Sequence, residues 1–535
     1  MLGLPNVTGH PSDVNSTHVF RLLFISVVGA LLKLWLVVDV DFGKDEVAYW
    51  YWAQQFDASY SALPLIAIRL ASTLSHSEIV IRVPFVLMGI VSTLLMYAWC
   101  VRCGLNYRIA YWATIAFATS HWIWHTTSFL HPDGFLVPCW LATVYIADVA
   151  CDRSSIRGKT RIVALFSVLG ACAGFSVLSK YSGAGLAAGI MTGIMIHQRY
   201  HGIALVAAFS GLALVTSTLV ATLAESGFHM PVTLGSLSKI VANQPMALRF
   251  AAFVSAPMFY ISLPLWIALT TSLAHLIHLA WRTRATLNHR LMLLLLPVVC
   301  TITAFAFFAL VKGQVKGNWI LPAMLGIWPF AFGAKIPGQQ ITSALKLINR
   351  RWFMITMIAL GLAHSGAVAW ILKVPAVANI EQLFGQTVAF NYRYLVSKED
   401  QVREPSRSWE DRLCEYHGWR QFAHQVENRA AFFDGDKQIP IVSNQYQIVF
   451  AQAFYGNFAR PVYTIDDPRF HNLSALSNAV QSSDTLLFVT QGYKPVPHSL
   501  RNYKPSLFFD FYRQTPGCRP IPNRATLLIH HKPNR

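Results

Sequence analysis

Residues 19–40 read VFRLLFISVVGALLKLWLVVDV, and residues 41–52 continue DFGKDEVAYWYW. The first run is interrupted only by Arg21, Lys33 and Asp39 among its charged positions, and about 20 mainly apolar residues suffice for a helix to cross a bilayer. The second run turns at once to Asp41, Lys44, Asp45 and Glu46 and then to Tyr49, Trp50, Tyr51 and Trp52. Carboxylates followed by amphipathic aromatics are what an apolar helix meets where it leaves the hydrocarbon for the wet interface. The preceding 18 residues are polar and no small-residue cleavage site follows, so the run is expected to stay as a first spanning helix, distinct from a removed signal peptide.

The same pattern recurs outward from this point. Apolar stretches occupy residues 82–101, 109–127, 134–150, 161–179, 182–197, 202–223, 251–280, 291–311, 318–334 and 352–373, giving about eleven spans, of which 182–197 is short and 251–280 long for one crossing. Composition agrees: the 535 residues are 54% hydrophobic and only 13% charged, too apolar for a single soluble core. The formal net charge of +18 suggests nucleic acid as a partner, but Lys and Arg lie in short clusters between apolar stretches and never build one basic face, which argues against it. With the N-terminus cytoplasmic, those clusters (Arg102 and Arg108; Arg153, Arg157, Lys159 and Arg161; Arg199; Arg282, Arg284 and Arg290; Lys335, Lys346, Arg350 and Arg351) all fall on the cytoplasmic side. An odd number of spans then puts the tail outside.

From Pro375 the spans stop and charges of both signs appear. β-rich runs at 440–442, 448–450, 462–465 and 486–489 and a helical pattern over 419–429 predict a soluble α/β domain. The expected architecture is a polytopic α-helical membrane domain, 1–374, with an external first loop at 41–81, followed by a C-terminal soluble domain, 375–535. Six cysteines (Cys100, Cys103, Cys139, Cys151, Cys172 and Cys300) sit in or beside spans without metal-ligand spacing and read as small hydrophobes. Cys414 and Cys518 lie in the tail, where an external location permits a disulfide.

Chemistry concentrates at the external turns. Asp45 and Glu46 follow the first span; Asp133 sits in the short turn 129–134, FLHPDG; Lys180 lies in SKYSG, 179–183; Lys312 and Lys316 flank KGQVKGNW, 312–319. Each has an ordinary reading: solvated helix ends for the carboxylates, a Pro-Asp-Gly turn for Asp133, snorkelling for the lysines. Their shared side is what distinguishes them. Carboxylates and cations converging from four turns suit a reaction in which a hydroxyl is deprotonated while a lipid phosphate departs.

These residues also carry a resemblance. Asp45-Glu46-Val47-Ala48-Tyr49-Trp50 is similar to the Asp-Glu-x-x-Tyr-Trp opening of the first loop in the protein-mannosyltransferase-like branch of the GT-C integral membrane glycosyltransferases, a family related to lipid A aminoarabinose transferases. Arg82-Val83-Pro84 resembles the Arg-x-Pro that closes the loop. Pro132-Asp133-Gly134-Phe135-Leu136, Leu178-Ser179-Lys180-Tyr181 and Asn318-Trp319-Ile320-Leu321-Pro322-Ala323 resemble later motifs in family order. The chain departs from the pattern twice: Tyr60-Ser61-Ala62-Leu63-Pro64 stands where Tyr-x-Asp-His-Pro-Pro is usual, and Asn318 where His is usual.

The resemblance implies a GT-C glycosyltransferase moving a sugar from a polyprenyl-phosphate donor to a lipid or protein acceptor by single inverting displacement. Asp45 would be the base, Glu46 a support for the loop or a ligand, and Asp133 a second carboxylate. Lys180, Lys312, Lys316 and Arg82 would serve the donor phosphate, with Arg249 a lesser candidate, and Tyr49, Tyr60, Asn318 and Trp319 would line the substrate loop. A divalent metal near the external carboxylates is a further expectation. The preferred location is a bacterial inner membrane with the tail periplasmic. Two rivals stand beside this reading: a transporter or flippase of a lipid-linked sugar, which would want charges near the midplane, and an inactive glycolipid-binding relative.

Overall fold

The computed structural model describes residues 11–55, 61–152, 158–196, 202–225, 246–282, 289–312, 318–334, 351–373, 416–434, 438–456, 460–465, 483–491, 495–513 and 521–530. Ten helices open the chain: α1 (Pro11–Leu36), α2 (Lys44–Gln55), α3 (Ala62–Leu74), α4 (Glu78–Arg102), α5 (Tyr107–Thr119), α6 (His121–Thr126), α7 (Asp133–Cys151), α8 (Lys159–Ser179), α9 (Gly183–Ile196) and α10 (Ile203–Glu225). Seven helices among the described residues are long and apolar enough to cross a membrane: Ser16–Leu36, Glu78–Arg102, Asp133–Cys151, Lys159–Ser179, Leu263–Arg282, Arg290–Phe307 and Trp352–Trp370. On α1 the residues Phe20, Phe24, Leu31 and Trp35 are exposed, an apolar face suited to lipid.

Of the other expected spans, 202–223 forms the 23-residue α10 and 182–197 the 14-residue α9, whereas the rest are broken. Residues 109–127 form α5 and α6, hinged at Ser120, whose extended backbone ends one helix and starts the next. Residues 251–280 divide into Met246–Ser255, Met258–Ile261 and Leu263–Arg282, with a break at Ser262 (φ 73°). Residues 318–334 contain only a 3-10 turn, Pro322–Leu325, and one helical turn, Trp328–Ala331, each with a proline in its first two positions, which suits a helix start and not a helix interior. The first loop is itself helical, as α2 and α3.

Small residues set the closest helix contacts. On α8 and α10, Gly170 lies against the Ala208 carbonyl and Gly211 against the Ser167 carbonyl, each closer than any Cβ could sit. At one end of the bundle Asp148 of α7 binds two arginines: Arg102 Nε donates to Oδ2 at 2.6 Å, and Arg290 Nε and Nη2 to Oδ1 and Oδ2 at 2.6 and 2.8 Å. Two of the basic residues counted for orientation therefore also lock helix ends together. The candidate residues 45, 133 and 180 lie at the opposite end.

The tail builds a five-stranded sheet in the order β2-β1-β3-β5-β4, from β1 (Ile441–Ser443), β2 (Val462–Thr464), β3 (Thr485–Gln491), β4 (Tyr503–Arg513) and β5 (Ile521–His530). β1 runs parallel to β2 and β3, whereas β5 pairs antiparallel with β3 and β4. The expected helix at 419–429 spans Trp419–Phe432. The run 448–450, expected as a strand, lies instead within the helix Tyr446–Tyr455; Ile448, Val449 and Phe450 are buried, and so short an apolar run fits either structure by pattern. The boundary expected at 374/375 falls where a segment outside the described residues begins, and Cys414 and Cys518 lie outside them as well.

The sheet domain has no separate core on its bundle side. Phe42, Trp50, Leu65, Ile68 and Phe85 form one buried cluster with Trp419, Phe422, Val449, Phe450 and Phe454. Tyr51 stacks on Phe450 with centroids 4.2 Å apart, and Trp50 meets Phe454 edge-on at 4.9 Å.

Candidate active site

The start of α2 is fixed by its own sequence. The Gly43 carbonyl accepts from the Val47 N–H at 3.0 Å, and the Gly43 N–H donates to Glu46 Oε2 at 3.0 Å, so Glu46 returns to cap the first turn in the manner of a capping box. Asp45 lies one residue before it, exposed, in the first turn, where the helix dipole favours a carboxylate.

Glu46 is also the acceptor of a buried arginine. Arg82 Nε and Nη2 donate to Glu46 Oε1 and Oε2 at 2.9 and 2.7 Å, Nη1 donates to the carbonyls of Val37 and Val40 at 3.1 and 2.8 Å, and Nη2 also donates to the Asp41 carbonyl at 3.1 Å. These contacts occupy all five guanidinium donors of a side chain that is 0% exposed. Arg82, expected at the donor phosphate, thus sits inside the protein and closes the carbonyl-rich end of the chain after α1. The Leu130 N–H donates to Glu46 Oε1 at 3.1 Å and ties this loop to the turn that leads to Asp133.

Asp133 is the first residue of α7 and is fully buried. Lys180 Nζ donates to its Oδ1 at 2.6 Å; Asn318 Nδ2 and Trp122 Nε1 approach Oδ2 at 3.1 and 3.4 Å; His131 Nδ1 lies 3.6 Å from Oδ2. A carboxylate so surrounded is a holder of cations and amides and a poor proton acceptor. Its ammonium partner keeps 19% side-chain exposure. Asn318, a departure from the expected His, still supplies a donor to Asp133 and stands 3.5 Å from His131 Nε2. Gly134 has an ordinary helical backbone, and its place is set by space: a Cβ there would meet the Thr126 carbonyl oxygen at 2.5 Å. Only glycine lets α6 lie so close to α7.

Asp45, Glu46, Asp133, Lys180 and Asn318 are thus brought to one end of the bundle. Tyr49 is buried in α2 with its ring edge-on to Trp52, and Trp319 packs on Phe305 at 5.1 Å, so both shape the walls. Tyr60 and Lys316 lie outside the described residues, as do the side chains of Lys312, the last residue of its helix, and Arg249. Among the described residues no set of three or more His, Cys, Asp or Glu side chains is arranged to hold a metal, and Glu46 and Asp133 are already occupied by protein donors.

Three residues here were missed by sequence reasoning. Trp122 and His125 lie on α6 and His121 opens it; the His125 ring stands 5.7 Å from His131 and 5.9 Å from His121. His121 stacks on His364 at 4.2 Å. The signal was present as an i, i+4 pair of histidines inside an apolar run.

Comparison with known proteins bears on the fold. Residues 63–188 match the family model described as dolichyl-phosphate-mannose-protein mannosyltransferase. A search of the curated proteins finds no match. Among solved structures, ArnT from Cupriavidus metallidurans in the apo state superposes with a TM-score of 0.59 at 12% identity, covering 95% of this chain and 98% of that one. The same protein bound to undecaprenyl phosphate superposes with a TM-score of 0.55 at 12% identity over 95% of this chain and 97% of that one. The chain is built on the GT-C fold of the integral membrane glycosyltransferases, with its protein-mannosyltransferase-like resemblance borne out over residues 63–188.

Proposed function

We propose that this protein transfers a sugar from a polyprenyl-phosphate carrier to a hydroxyl-bearing lipid or protein acceptor at the membrane face that carries Asp45, Asp133 and Lys180. The carrying observation is the pairing of an exposed carboxylate, Asp45, with a caged one, Asp133, that holds the partly exposed Lys180 ammonium. The two environments divide the labour. Asp45 is free to take a proton from the acceptor, while Asp133 fixes a cation where the leaving phosphate gathers charge. The acceptor oxygen attacks the anomeric carbon, the bond from that carbon to the phosphate oxygen breaks with its electron pair leaving on oxygen, and the acceptor proton passes to Asp45. One displacement without a covalent intermediate inverts the anomeric centre.

Glu46 and Arg82 hold the loop and touch neither substrate. Lys312 and Lys316 remain candidates for the same phosphate, Tyr60 for the substrate loop, and a divalent metal near the external carboxylates stays part of the proposal. The undecaprenyl phosphate bound by the C. metallidurans protein supports a carrier of that class. The proposed location is a bacterial inner membrane, by resemblance, and the distribution of Lys and Arg supports an N-terminus on the cytoplasmic side and the sheet domain on the other. The test is transfer of labelled sugar by the purified protein from a panel of polyprenyl-phosphate sugars into a membrane lipid extract. Transfer from at least one donor is expected; carrier binding without transfer from any donor would favour transport or passive glycolipid binding.

A further inference from the structure

We infer that the C-terminal sheet domain is a working part of the active site: through Tyr455 and the start of helix Trp419–Phe432 it fixes the backbone that carries Asp45. This rests on the reading of Asp45 as the base. The segment 41–43 lies between two bodies. From the bundle side, Arg82 holds the Asp41 carbonyl and Glu46 holds the Gly43 N–H. From the domain side, the Phe42 N–H donates to Tyr455 Oη at 2.7 Å, and the Asp41 carboxylate accepts the Trp419 and Arg420 N–H groups at 2.9 and 3.4 Å through Oδ2.

The second contact is unusual in its direction. Helix Trp419–Phe432 begins at Gly418, which has no side chain to cap it. The cap comes instead from Asp41, hundreds of residues earlier, so two of the orphan donors of that helix find their protein acceptor when the domain is seated on the loop. Arg420 adds a bond from Nη2 to Glu78 Oε1 at 2.7 Å at the start of α4. The Tyr416 ring covers Gly43 so closely that a Cβ would lie 2.5 Å from Cε1, and it also packs on Phe129 at 5.1 Å. His76 pairs with the Phe454 carbonyl at 2.8 Å and stacks on its ring at 4.5 Å. A domain that merely rested on the bundle would not supply the hydrogen bonds of the two residues preceding the α2 cap. Tyr455 and Asp41 are positioning residues in this arrangement, since they act through the chain on Asp45.

The experiment compares full-length wild type, Tyr455→Phe, Asp41→Ala and Asp45→Asn, measuring kcat and KM for sugar transfer, affinity for the polyprenyl phosphate alone, and thermal unfolding. Removing one such hydrogen bond is expected to lower kcat about tenfold in Tyr455→Phe, with carrier affinity unchanged, because Lys180 and Asp133 are held from other elements. The double variant Asp45→Asn with Tyr455→Phe should be no slower than Asp45→Asn alone, since both act through one carboxylate. Faster amide exchange over residues 42–46 in Tyr455→Phe gives a readout independent of turnover. Wild-type kcat and wild-type exchange in a folded Tyr455→Phe would overturn the inference while leaving the base intact. Full activity in Asp45→Asn would instead overturn the reading on which it rests.

Discussion

Glu46 and Arg82 meet through two parallel hydrogen bonds, 2.9 and 2.7 Å, in a pair whose side chains are 4% and 0% exposed. Deleting Glu46 leaves the Arg82 charge buried with two donors unmet, and deleting Arg82 leaves the Glu46 charge buried with the Val37, Val40 and Asp41 carbonyls unmet. Arg82→Ala is therefore expected to cost about 3–5 kcal/mol. Thermal unfolding in detergent measures the loss; carrier affinity per folded molecule should hold, whereas a phosphate-binding role for Arg82 would weaken it.

In the proposed reaction Lys180 is one cation offered to the donor phosphate. Losing a charge-assisted hydrogen bond of about 1.5–3 kcal/mol predicts that Lys180→Gln weakens binding of polyprenyl phosphate by about 10- to 100-fold. Asp133→Asn keeps the ammonium but loosens its anchor, so kcat should fall more than carrier affinity. Titration of each variant with the carrier alone, followed by initial rates, separates the two effects.

Gly134→Ala places a methyl group against the Thr126 carbonyl. Overpacking of this kind typically costs about 1–3 kcal/mol. Because α6 must retreat from α7, turnover should fall along with stability, and thermal melts beside initial rates check this.

Burial holds the His417 ring below its usual 6.5, with Arg513 adding to the effect and Asp41 opposing it. The unfolded chain then binds a proton on passing below pH 6.5 that the folded chain refuses, so the contribution is full above pH 6.5 and declines as pH falls from there. Asp41, raised above 3.8 by burial against the pull of the Arg420 and Trp419 N–H groups, works in the opposite sense at lower pH. Melts at pH 7.5 and 5.5 should show the domain less stable at the lower pH, and His417→Gln should flatten the difference.

Much of the bundle was legible because a bilayer imposes a single rule, a run of about 20 apolar residues, that composition alone reveals. The rule fails where the chain breaks inside an apolar run. Ser120 and Ser262 end helices through backbone angles that hydropathy does not encode, and the segment 318–334 is too rich in turns to cross. In the tail, Val462–Thr464 and Thr485–Gln491 could be read as strands, but β4 and β5 could not, since Tyr503–Arg513 mixes exposed Leu507 and Phe508 with charges along a sheet edge. Asp45, Asp133 and Lys180 stood out by sharing a side. The division between them did not: whether a carboxylate is exposed or caged depends on partners such as Lys180, Trp122 and Asn318, which approach through space. Arg82 illustrates the same limit, for an arginine at a membrane interface looks like a phosphate ligand until its donors are counted.

In the proposed reaction Asp45 removes the acceptor proton during transfer from a polyprenyl-phosphate sugar. The most direct measurement is single-turnover transfer by wild type and Asp45→Asn, with donor prebound and the anomeric configuration of the product determined. Wild type should give inverted product, and Asp45→Asn should bind donor normally yet lose at least about 100-fold in rate, the lower range for a general base. Product of retained configuration, or wild-type rates from folded Asp45→Asn, would contradict it.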